Sequence, residues 1–315
     1  MKRREFLQAA AATAFASSLL GVSRSFAAAP QRKVLFFTKS AGFQHSAIAR
    51  KEGADLGFAE KTLIDLGKQH GFAVTATKDG SVFDGDLDQY DAFFFYTTGD
   101  LTQPGTDKNP PMSKEGKQKL LDAVAGGKGF LASHCGSDTF HSKGPSREEQ
   151  KPEDIDPYIK MLGGEFISHG PQQKARMIVK SPTFPGLSGV GESFEIQDEW
   201  YSLRNFAPDL QVILLQDTQG MTGEDYERPP YPATWARQHG KGRVFYTSMG
   251  HREDVWTNPT FQQILLGGLN WAVGNVEFAV ASNLEQAAPG ARIMPPPKKP
   301  KPEAKPKKPA AKPAA

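Results

Sequence analysis

Short apolar runs alternate with helix-spaced apolar positions over the first half of this chain. KVLFFT (33–38), FAVTAT (72–77), DAFFFYT (91–97) and GFLAS (129–133) are rich in β-forming residues and almost continuous in their hydrophobicity, the pattern of strands covered on both faces. Between them, Leu56, Ala59, Leu63 and Leu66 recur at helical spacing and stop at His70-Gly71. SKEGKQKLLDAVAGG (113–127) predicts a second helix, with Ser113 as cap and two glycines as stop. Residues 134–172 are Gly-, Pro- and charge-rich, with one short helix expected near 155–162. KARMIVK (174–180), SFEIQ (193–197), QVILLQ (211–216) and a hairpin over 233–249 read as further strands. NPTFQQILLGGLNWAVG (258–274) predicts a closing helix, capped by Asn258 with Pro259 in its first turn. The order predicts an α/β fold: a doubly wound, mostly parallel sheet with helices on both faces and an inserted region in the second half.

The two ends differ from this core. Residues 1–29 carry Lys2, Arg3 and Arg4 before a mostly apolar run and small residues at Ala27–Ala29. KRREFL resembles a twin-arginine export signal, so an exported, periplasmic protein is expected. The run is too interrupted by polar residues to predict stable membrane insertion. Residues 295–315 are Pro, Lys and Ala, and are expected to form a solvated, disordered tail that can meet acidic surfaces. Removing the tail's net +6 and the leader's net +3 from the chain's +3 leaves about −6 for residues 30–294. That balance argues against a nucleic-acid partner. A single cysteine, Cys135, excludes an intramolecular disulfide.

Ligands of open parallel sheets sit beyond the carboxyl ends of the strands, so the residues following each strand are the informative ones. There the sequence places His45 in GFQHS, then His134, Cys135 and Asp138 in HCGSD. His169 with Gln172 and Gln173 follows in HGPQQ, Asp198–Tyr201 in DEWY, and His251 in GHREDVW. His70, His141 and His239 have ordinary structural explanations. Cys135 lacks the flanking glycines of a nucleophile elbow, a position that His134 occupies more naturally. His45, His134, His169 and His251, with one of Asp198 or Glu199, form a candidate ligand set for a divalent metal such as zinc. The same residues suit metal-free acid/base chemistry, and the two readings stay open at this stage. Asp138, Gln173, Asp198 and Glu199 beside Trp200, Tyr201 and Trp256 suit a small carbohydrate, with hydroxyls on polar groups and ring faces on aromatics. Homo-oligomerisation is left open.

KSAGFQHSA, GGKGFLASHCGSDTF, LGGEFISHGPQQKARMIV, DEWY and GKGRVFYTSMGHREDVWTNPTFQQILLGGLNWAVG, in this order over residues 33–274, resemble the ThuA-like (trehalose utilisation) family of the class I glutamine-amidotransferase-like group. The resemblance implies a flavodoxin-like sheet without that group's catalytic cysteine pattern. Family members more often have Ala where this chain has Cys135. It also implies a role in carbohydrate metabolism, here expected as processing of oxidised (keto) sugars or glycosides. His134 and His45 would then act as acid/base, with His251 or a metal polarising the carbonyl. A non-catalytic carbohydrate-binding module and a cysteine hydrolase are the alternatives.

Overall fold

The computed structural model describes residues 31–297; the expected leader and the tail beyond Pro297 lie outside the described residues. Strands β1 (Arg32–Phe37), β2 (Phe72–Thr77), β3 (Ala92–Phe95) and β4 (Gly129–Ser133) form where the apolar runs predict them. They alternate with helices α1 (Phe58–His70) and α2 (Lys114–Gly126). Local chemistry sets the helix ends. Ser113 Oγ accepts the Gly116 N–H at the start of α2, and the Glu60 carboxylate reaches back to the Gly57 N–H at the start of α1.

Helix α3 (Pro157–Leu162) leads into β5 (Glu165–His169) and β6 (Gln173–Val179). Then come β7 (Ser193–Asp198), β8 (Tyr201–Arg204), β9 (Gln211–Gln216), β10 (Tyr231–His239) and β11 (Gly242–Thr247). Helices α4 (Glu253–Trp256) and α5 (Pro259–Ala272) follow. Nine strands make one sheet in the order β2-β1-β3-β4-β11-β10-β9-β6-β7, while β5 and β8 pair as a separate ribbon. The half from β2 to β11 is parallel and its order is compatible with a flavodoxin-like sheet. From β11 to β7 every pairing is antiparallel. The α/β reading holds, but the sheet is mixed and not mostly parallel. The second-half strands extend the sheet through antiparallel pairings, which need no crossover helix.

Alternating strand residues cover both faces of the parallel half. Phe36 and Phe94 meet Trp256 of α4 on one side; Phe37 and Phe95 meet Phe83, and Phe95 also meets Tyr158 of α3, on the other. The carboxyl ends of the parallel strands β1, β4 and β11 open at one edge of the sheet. No helix among the described residues is long and apolar enough to cross a membrane.

Candidate functional site: a three-histidine, one-carboxylate centre

Three imidazoles converge from three separate strand ends. His45 follows β1 and starts a short 3-10 helix; His134 leaves β4; His251 follows β11. Their ring centroids are 5.0 Å (His45–His134), 5.1 Å (His45–His251) and 5.1 Å (His134–His251) apart. His134 holds a left-handed backbone, φ 45°, which turns the chain sharply off the strand. The elbow residue is therefore His134, and Cys135 turns inward to full burial.

Hydrogen bonds fix the ring orientations. The Ser248 carbonyl can only accept, so His134 carries its proton on Nδ1, 3.1 Å away. Its Nε2 is left facing His251 Nδ1 at 3.2 Å and Glu199 Oε1 at 3.7 Å. Glu199 comes from the β7–β8 connection, and its Oε1 lies 3.1 Å from His251 Nδ1. His45 is 2% exposed, with Nε2 3.4 Å from Tyr201 Oη and Nδ1 without a hydrogen-bond partner. Burial, with the neighbouring His134 and His251 rings, pushes the His45 imidazolium down to about 2, so the ring is neutral at ordinary pH. Burial pushes the Glu199 carboxyl up, but hydrogen bonds to His134 and His251 hold it well below the usual range.

One donor atom each from His45, His134, Glu199 and His251 lies within 4.8 Å of the other three. Three converging imidazoles, a carboxylate held ionised and the buried, unpartnered Nδ1 of His45 suit a divalent first-row ion. The Nδ1–H of His134 on a backbone carbonyl is the usual outer-sphere support of a metal-binding histidine. Of the sequence-derived ligands, His169 is not in this set. It stands at the exposed end of β5, its Nδ1 3.4 Å from Glu199 Oε2, because β5 pairs with β8 outside the main sheet. Of the two acids considered, Glu199 faces the cluster. The buried Asp198 instead accepts the backbone N–H groups of Glu199, Gly250 (2.7 Å) and Arg252 (3.1 Å). It thereby holds the turn that carries His251. Gly250 has φ 116°, and a Cβ there would approach Ser133 Oγ to 2.7 Å, so this turn needs glycine.

A pocket of about 330 Å³ opens over the cluster, lined by Phe43, His45, Asp138, Phe166, His169, Glu199, Tyr201 and His251. Asp138 and Tyr201 line it, as the sequence reading expects of substrate-binding residues. Gln173, Trp200 and Trp256 do not. Gln173 is tied to Thr222 through both ends of its amide. The two tryptophans are fully buried, with their indole N–H groups on the carbonyls of Gln173 and Gly250. The indoles proved to be core, since a large apolar ring near a strand end packs inward unless the backbone turns it out.

Two further features escaped the sequence reading. Phe43 and Phe166 supply aromatic wall. His141, assigned there to an ordinary polar loop, donates to Asp138 Oδ1 through Nε2 (2.6 Å) and stands 3.3 Å from Glu165 through Nδ1. Burial lowers its basicity, but the bonds to Asp138 and Glu165 carry it up to about 9. The thiol of Cys135 is pushed far above its ordinary range by burial, which removes the thiolate a cysteine hydrolase needs.

The model of the ThuA family, trehalose utilisation, matches residues 33–272. The chain belongs to the ThuA family. Among solved structures, a ThuA-like protein from Bacteroides uniformis ATCC 8492 is 18% identical at a TM-score of 0.56, covering 80% of this chain and 95% of its own. One from Parabacteroides merdae ATCC 43184 is 16% identical at a TM-score of 0.55, covering 85% and 97%. At these identities the likeness shows the ThuA-like fold. No curated protein matches the chain.

Proposed function

We propose that this ThuA-family protein is a metal-dependent enzyme of carbohydrate metabolism that acts on oxidised (keto) sugars or glycosides. The observation that carries this reading is the convergence of His45, His134, His251 and Glu199, of which His45, His251 and Glu199 line one pocket. The geometry favours the imidazoles as ligands over an acid/base role, because one nitrogen of His134 is spent on Ser248 and the other aims into the cluster. A divalent ion held there supplies Lewis-acid polarisation of a carbonyl oxygen.

Proton transfer then falls to pocket groups outside the ligand set. Asp138, held by His141, and His169 are the two that line the pocket and can accept a proton. No Lys or Arg lines it, which favours a neutral polyol over a phosphorylated ligand. The Lys2–Arg4 leader supports export to the periplasm.

The test is turnover of keto-glycosides by the metal-loaded protein. We expect His134→Ala to lose at least about 100-fold in kcat/KM, the usual size of a catalytic-centre deletion. Unchanged turnover in that variant removes the assignment, and glycan binding with no turnover by wild type leaves a binding module in its place.

A further inference from the structure

We propose that Phe43 is a preorganised stacking platform that receives the apolar face of a pyranose ring and sets the ligand specificity of the pocket. This rests on the carbohydrate reading above. Phe43 is 68% exposed, the most exposed large hydrophobic side chain among the described residues. The others that are exposed, Leu56, Phe58, Val276 and Ile293, do not line the pocket.

Its exposure is not slack in the loop. Thr98 Oγ1 donates to the Phe43 carbonyl at 2.9 Å, the Ala41 and Gly42 N–H groups both donate to the Thr98 carbonyl, and Thr106 Oγ1 donates to the Gly42 carbonyl at 2.7 Å. The 97–99 segment is so close that a Cβ on Gly99, at φ 74°, would stand 2.8 Å from the Gly42 nitrogen. The backbone around Phe43 is thus clamped from two neighbouring segments while its ring is left in water. One contact orients that ring: it meets His45 at 5.0 Å and 90°.

A rigid aromatic ring presented to solvent at the mouth of a polar pocket costs little to order when a ligand arrives. The rest of the lining chooses the ligand. Asp138, Glu199 and His169 offer hydrogen-bonding groups to hydroxyls, and Phe166 and Tyr201, 4.1 Å apart between centroids, close an aromatic wall. A pyranose combines C–H faces for the aromatic wall with a hydroxyl rim for the polar groups. Phe43 is a single ring and not part of a broad apolar patch, which disfavours a protein-docking surface.

Phe43→Ala and Phe43→Trp test the proposal, using trehalose and methyl glucoside, each also in its keto form, as probes. We expect Phe43→Ala to bind the best of these about tenfold more weakly than wild type by calorimetry, with metal content unchanged. Phe43→Trp should keep wild-type affinity, and its emission should shift on sugar addition. The chain's four native tryptophans, Trp200, Trp235, Trp256 and Trp271, are all fully buried, so their emission is a constant background that added sugar does not touch. Equal affinity of Phe43→Ala and wild type, with no emission change in Phe43→Trp, overturns the platform and leaves the carbohydrate reading standing. A change in oligomeric state in Phe43→Ala without loss of sugar affinity also overturns it, making Phe43 a contact between copies. Failure of wild type to bind any probe overturns the carbohydrate reading and the platform together.

Discussion

The His134 ring is anchored on the Ser248 carbonyl at 3.1 Å, a bond between the ends of two adjacent parallel strands, β4 and β11. That one bond fixes the tautomer and aims the other nitrogen at His251 and Glu199. The sheet register therefore decides the orientation of a side chain whose partners Ser248 and His251 lie more than one hundred residues away in sequence.

Asp198 is expected to act as the keystone of the His251 turn without being a ligand. Asp198→Asn weakens charge-assisted bonds to the Gly250 and Arg252 N–H groups, at a cost of about 1.5–3 kcal/mol. Metal affinity should drop about 10–100-fold, as for other outer-sphere supports. Denaturant unfolding and metal titration read the two effects. Wild-type values for both would show that the turn holds without the carboxylate.

The His141–Glu165 link predicts a window of stability in pH. His141 rises from an ordinary 6.5 to about 9, so its contribution is complete below 6.5 and fades as pH climbs through 9. Glu165 is raised by burial but brought down to about 2 by hydrogen bonds from His141 and Ser142 and the charge of Arg204. Its contribution is complete above 4.5 and fades as pH falls through 2. Both are in full force between pH 4.5 and 6.5. Wild type should lose stability more steeply than His141→Gln between pH 6.5 and 9; parallel profiles would contradict the link.

Cys135 should be inert. Its thiol is buried and held protonated, so a thiol reagent should label it only on unfolding, and Cys135→Ala should retain activity. Rapid labelling of the folded protein with loss of turnover would reinstate a cysteine mechanism.

Much of this architecture was legible from residue patterns. FAVTAT, GFLAS and QVILLQ fold as strands over the same residues that the apolar runs span: the last two are fully buried and announce themselves by continuous hydrophobicity, while FAVTAT, at the sheet edge, is read from its β-forming residues. The convergence of His45, His134 and His251 followed from where strands end. The ribbon of β5 and β8 did not, since four residues after Asp198-Glu199-Trp200 carry no period of their own. Their pairing is what separates His169 from the ligand set. Exposure was equally hidden: Phe43 and Trp256 are both aromatics near strand ends, and only the backbone clamp at Thr98 against the core contact at Phe36 distinguishes them.

Metal analysis of the purified full-length protein, equilibrated with zinc and freed of excess, tests the central claim most directly. The account predicts one divalent ion per chain in wild type and none in His45→Ala/His251→Ala, with cooperative unfolding retained in both. Wild type without bound ion at any zinc concentration, or a double variant that retains the same ion, would contradict it.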